Sequence, residues 1–259
     1  MSADSAADAV LTERRGRILI ITLNRPDQRN AVNAAVAQGV AAALDALDGD
    51  SELSLGVLTG AGKGFCSGMD LKAFRAGERP HIPGRGFAGI VERPADKPLI
   101  AAIEGFAVAG GLEVALACDL IVAARGARLG IPEVKRSLVA AGGALIRLPR
   151  TMPRNLAMEM ALTGDLIDAE RAHELGLVNR LTEPGEALEA ALTLAETIAA
   201  NGPLALAATK RIMVESADWP DAEYFDRQRE LIEPVFESED AREGATAFAE
   251  RRDPVWKGR

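Results

Sequence analysis

Two glutamates, Glu113 and Glu133, each stand just after a turn, Gly110-Gly111 in one case and Ile131-Pro132 in the other. Both follow the stretch Gly64-Phe65-Cys66-Ser67-Gly68-Met69-Asp70, whose glycines suit a turn that presents backbone N–H groups. Chemistry beside a carbonyl builds negative charge on its oxygen, and preorganised backbone donors stabilise that charge without reorganising. Carboxylates then move the protons. The combination points to acid–base chemistry next to a carbonyl group.

Each residue also has a plainer reading. Gly110 opens a helix whose first N–H groups lack intrahelical partners and carry partial positive charge. The pair Gly110 and Gly111 would equally serve close strand–helix packing, and spacing alone does not separate the two. Glu113 falls in the first turn, where the helix dipole favours a solvated carboxylate. Its neighbours Val114, Ala115, Leu116 and Ala117 are apolar, so the helix reads as buried, and burial would raise the pKa as a general acid–base requires. Glu133 precedes Lys135 and Arg136 and reads equally well as a salt-bridged group.

Other chemistry is weaker. Cys66 and Ser67 have no histidine nearby in sequence, and the chain holds only His81 and His173. His173 lies in a helix ending at Gly176 and reads as a surface residue, whereas His81 sits in a Pro/Gly-rich loop that could line a pocket. Gly60-Ala61-Gly62-Lys63-Gly64 is not a phosphate loop, because the spacing requires glycine where Val57 stands and a hydroxyl residue after Lys63.

The elements that must position these groups follow from periodicity. Residues 18–23 form an apolar strand ended by Asn24-Arg25-Pro26-Asp27, and Val32, Val36, Val40, Leu44 and Leu47 recur at helical spacing over 31–47. A second unit has its strand at 53–59, its turn at 60–68 and a partly helical stretch at 75–98. A third runs from a strand at 98–103 through a turn at 104–111 to a helix at 112–117, with further strands at 119–123 and 128–131. Strand–helix alternation predicts parallel pairing with right-handed crossovers. From Pro153 onward the pattern is helical, at 155–162, 168–175, 186–200, 203–217 and 222–236. The break at Asn201-Gly202-Pro203 divides an α/β core, 1–200, from a helical region, 201–259, suited to packing on neighbouring subunits.

The chain has 259 residues, 48% hydrophobic and 26% charged, enough for one large soluble domain. Its net charge of −8 and scarcity of aromatics argue against a nucleic-acid partner. Two cysteines, Cys66 and Cys118, make neither a disulfide framework nor a metal cluster, so a reducing, cytoplasmic compartment is expected. No run approaches a membrane span, the N-terminus lacks a signal-peptide pattern, and residues 1–10 are expected to fray.

The sequence resembles the crotonase, or enoyl-CoA hydratase, superfamily. The resemblance rests on Leu23-Asn24-Arg25-Pro26, Asn30-Ala31-Val32-Asn33, Phe65 to Leu71, Gly105 to Asp119, Pro132-Glu133-Val134 and Gly176-Leu177-Val178, and covers about positions 14–259. It implies an α/β crotonase-like spiral of repeated ββα units with a helical C-terminal trimerisation region, assembled as a homotrimer or as a hexamer built from two trimers. It implies an oxyanion hole of the Met69 and Gly110 N–H groups, and acid–base roles for Glu113 and Glu133 in reversible syn addition of water to a trans-2-enoyl-CoA. Coenzyme A is then part of the acyl-CoA substrate, with no separate cofactor and no metal. Ser67, Gly68 and Gly111 would meet the substrate, the adenine would lie near Asp70, Leu71 and Lys72, and Arg25 with a neighbouring subunit's Phe248 and Arg251 would meet pantetheine and phosphates. The loop 73–98 would shape the acyl pocket. Alternatives within the resemblance are Δ3,Δ2-enoyl-CoA isomerisation, which needs one carboxylate, and a non-catalytic acyl-CoA-binding or RNA-binding homologue.

Overall fold

The computed structural model describes residues 9–259. The expected fraying falls outside them for residues 1–8, but Val10 is buried and opens a strand. That strand, β1 (Val10–Arg15), pairs antiparallel with β2 (Ile18–Leu23). Periodicity missed β1 because every residue after Val10 is exposed, so no apolar alternation marks it.

After β2 the chain makes α1 (Ala34–Gly49), β3 (Leu55–Gly60) and the short α2 (Leu71–Arg75). Helix α1 begins later than expected, since the Asn33 side chain caps it by accepting from the Val36 N–H. Val32 instead bridges to Met69 as extended chain. The stretch beyond α2 is not helical, and holds only β4 (His81–Ile82) and β5 (Gly86–Phe87), because its glycines and prolines break any helix.

Next come β6 (Leu99–Ile103), β7 (Phe106–Val108), α3 (Gly110–Leu116), β8 (Leu120–Ala124) and β9 (Arg128–Gly130). Strand β7 occupies what reads in sequence as a turn. Then follow α4 (Ala144–Thr151), α5 (Arg154–Thr163), β10 (Ile167–Asp168), α6 (Ala169–Glu174), β11 (Arg180–Thr182) and α7 (Ala187–Ala199). Helices α8 (Pro203–Glu215), α9 (Tyr224–Phe236) and α10 (Glu239–Glu250) close the chain, α4 and α10 being additions to the expected set.

The main sheet runs β1-β2-β3-β6-β8-β11, parallel except for the β1–β2 pair. A second sheet, β10-β9-β7, takes the strand that follows each main-sheet strand, β7 after β6 and β9 after β8. This gives the ββα spiral. Alternation within strands divides the core. Leu19, Ile21 and Leu23 join the large cluster between the layers, while Ile18, Ile20, Leu55 and Val57 pack under Leu192 and Ala195 of α7. Lys210 of α8 is pinned to the sheet by Asp119 Oδ2 (2.7 Å) and the Ala95 and Lys97 carbonyls.

Candidate active site

The two sheets bring distant turns to one level. Cys66 and Ala107 face each other as parallel neighbours, with the Val108 N–H donating to the Cys66 carbonyl at 3.0 Å. Three residues further along each segment stand Met69 and Gly110. A Cβ built on Gly68 would lie 3.0 Å from the Gly110 nitrogen, so the turns touch and only glycine, at φ +93°, fits between them. Among the described residues the Met69 and Gly110 N–H groups donate to no protein acceptor. Ala109, just before Gly110, holds φ 57°, ψ −132°, which for a non-glycine residue stores about 1–3 kcal/mol. Its N–H is held by the Gly130 carbonyl (2.8 Å), so neighbouring β9 maintains the strain.

The two glycines of α3 do different work. Gly110 meets the Phe87 ring, which brings the 76–98 segment to the site. Gly111 presses on the Cys66 carbonyl so closely that any side chain would collide. The structure thus gives Gly111 a packing role.

Glu113 is 3% exposed, which rules out the solvated first-turn reading. Its Oε1 accepts the N–H of Gly142 (2.7 Å) and of Ala144 (3.2 Å). Burial pushes this carboxyl above the usual range, against the opposing pull of the Ala144 and Gly142 amides and the Arg147 guanidinium. Gly142, Ala144 and Arg147 were missed in sequence, where the one visible signal was a paired glycine opening α4 with an arginine one turn on.

Glu133 sits in a 3-10 turn (Pro132–Arg136) and is not salt-bridged: Lys135 pairs with Asp165, and Arg136 makes no ion pair among the described residues. Its Oε2 is the buried side-chain oxygen left without a hydrogen bond among them. Burial, reinforced by the charge of Glu113, raises its pKa against the pull of its own backbone N–H and Arg136. The carboxyl lines an apolar pocket of about 360 Å³ with Ile131, Ala140, Leu148, Ala157 and Met158. This pocket is built by residues 131–162.

The remaining candidates divide by exposure. Arg25 and Asp70 form a buried ion pair at 3.0 Å, and Asp70 caps α2 by accepting from Lys72 and Ala73. Arg25 thus has a structural role, its Nη1 also donating to the Ala31 carbonyl at 2.6 Å. Ser67 donates its backbone N–H to the Arg29 carbonyl, beside the Gly68 turn. Leu71, Lys72, Phe248 and Arg251 are exposed, with Arg251 capping α10 at φ 57°. The Cys66 thiol donates to the Asn30 carbonyl, and burial pushes its pKa to about 12, which disqualifies it as a nucleophile. His173 Nδ1 bonds to the Val178 carbonyl at the end of α6, and His81 is exposed against Phe87. Among the described residues no cluster could hold a metal ion, and no single helix is long and apolar enough to cross a membrane.

The sequence model described as enoyl-CoA hydratase/isomerase matches residues 13–259. The chain is 43% identical over 267 residues to an enoyl-CoA hydratase of Mycobacterium tuberculosis, covering 100% of this chain and 99% of that one. It is 43% identical over 255 residues to the carnitinyl-CoA dehydratase of Salmonella heidelberg, covering 95% and 97%. A crystal structure of an enoyl-CoA hydratase from Mycobacterium tuberculosis H37Rv superposes with a TM-score of 0.96 at 62% identity, covering 97% of this chain and 100% of that one.

Proposed function

The chain belongs to the enoyl-CoA hydratase/isomerase family, and from that premise we propose that it is an enoyl-CoA hydratase adding water across the double bond of a trans-2-enoyl-CoA. The observation that carries the reading is the Cys66–Ala107 register, which sets Met69 and Gly110 level, their amides donating to no protein acceptor among the described residues, with Glu113 one turn beyond Gly110.

In this reading the thioester oxygen accepts from both amides. Removing one such donor costs about 3–4 kcal/mol of transition-state stabilisation. Glu113, held through Oε1 by two amides, takes a proton from water as the water oxygen bonds to the β-carbon. The C=C electrons move toward the carbonyl, and Glu133 delivers its proton to the α-carbon. Water is added on one face, and solvent exchange returns both carboxyls to their starting states. The apolar pocket at Glu133 takes the acyl chain beyond the β-carbon. Its lining favours hydrocarbon, each buried methylene contributing about 0.8 kcal/mol.

The test is the loss of enoyl-thioester absorbance with crotonyl-CoA and a longer enoyl-CoA. Glu113→Gln and Glu133→Gln should each lose at least about 100-fold in kcat. Isomerisation of a 3-enoyl-CoA that survives Glu113→Gln, with no hydration by the parent, would replace this reading with the isomerase.

A further inference from the structure

Gly142 and Gly143 lie between two charged side chains, each glycine closely approached by a different one. A Cβ on Gly142 would stand 2.6 Å from Glu113 Oε2, and one on Gly143, at φ +99°, would collide with the Arg147 guanidinium. From α4, Arg147 donates to the Gly142 carbonyl through Nη1 (3.2 Å) and to the Val91 carbonyl through Nη2 (2.6 Å). The N–H of Gly142, on the peptide that precedes its Cα, donates to Glu113 Oε1 at 2.7 Å. The guanidinium is half-buried and makes no ion pair among the described residues, so its charge is not neutralised by contact.

We propose that Arg147 is a positioning residue for hydration. By holding the Gly142 carbonyl it fixes the residue whose N–H holds Glu113 Oε1, and so leaves Oε2 for the attacking water. Through Val91 it also ties that carboxylate to the segment carrying Phe87 against Gly110, so that base and oxyanion donor are held in one frame. The inference rests on the hydratase reading above. A surface arginine could be lost without consequence, whereas this one bridges two carbonyls, one of them on the residue that holds the base.

The charges that bear on the test are few. Glu113 faces Arg147 from α4 and Glu133 from the 3-10 turn; Arg147 faces Glu113, Arg150 on its own helix and Cys118. A positive guanidinium favours ionised Glu113, so removing it moves the acid limb of the kcat profile to higher pH.

Crotonyl-CoA hydration by Arg147→Met and Arg147→Lys decides the matter, with circular dichroism measuring the folded fraction. Arg147→Met should lower kcat by roughly 10- to 100-fold, KM moving less than about twofold, and should raise the acid limb. Arg147→Lys keeps the charge without the fork, and should return the limb toward its original position while kcat stays reduced. A wild-type kcat and acid limb in Arg147→Met, or a loss that only follows the folded fraction, would overturn the inference. Failure of the unmodified protein to hydrate any enoyl-CoA would overturn the hydratase reading itself, before any variant is made.

Discussion

At the residue scale the site is a pair of carboxyls whose environments shift them in the same direction by different means. Glu113 is buried but held by two amides, and Glu133 is half-buried with its buried Oε2 unpaired. On the proposed mechanism hydration uses ionised Glu113 and protonated Glu133, so the working pair shares one proton. Activity therefore falls at low pH, where both are protonated, and at high pH, where both are ionised. Because both pKa values are raised, the rising limb of kcat/KM should lie above about 4.5, beyond an ordinary carboxylate. Each limb belongs to the pair and not to one residue. A pH–rate profile checks this, and a rising limb at the ordinary carboxylate value would contradict it.

At the element scale, register matters more than the identity of any one side chain. Parallel pairing of Cys66 with Ala107 is what lifts Met69 and Gly110 to a common level, and α2 must start at Leu71 for the first turn to hold its shape. Asp70 secures that start as cap and as partner of buried Arg25. Asp70→Ala removes a cap and takes the charged partner from a guanidinium that keeps the Ala31 carbonyl, which should cost about 3 kcal/mol. At this chain length that is a fall of roughly 6–12 °C in Tm, measurable by calorimetry. Burial alone would raise the Asp70 pKa, but the Ala73 amide and Arg25 hold it below the usual range. Its contribution is therefore present above the unfolded-state value of about 3.9 and is lost as pH falls through the lower folded-state value.

At the scale of the whole molecule, the spiral buries both faces of its main sheet, one under α7 and one between the layers. The C-terminal helices do not bury theirs. Phe225, Phe236 and Phe248 are 77%, 73% and 87% exposed, and on α4 and α5 Ile146 and Leu162 are 61% and 70% exposed. Large exposed apolar surface of this kind marks an interface. Light scattering should give a mass three or six times that of the chain, and the double change Phe225→Asp, Phe236→Asp should reduce it to one. A wild-type monomer would refute the trimer and leave Phe248 and Arg251 without a neighbouring site to complete.

The main strands, most helices and the two glutamates were legible because they rest on local chemistry: β-branched runs, apolar periodicity, and glycine or proline at turns. The family motifs added Met69 and Gly110. What sequence could not supply depends on contacts between distant segments. Strand β7 looks like a turn until β9 pairs with it, and Val32 fits a helical stripe until Asn33 caps α1 and Met69 captures it. Nothing local marks Gly111 as packed on the Cys66 carbonyl, and Arg147 reads as an ordinary helix residue until Gly142 and Val91 meet its fork. Residue types determined which groups could do acid–base chemistry and where the chain must turn. Tertiary structure alone decided which amides stay free, which carboxylate oxygen is held and which is not, because hydrogen bonds and burial are shared between segments with no relation in sequence.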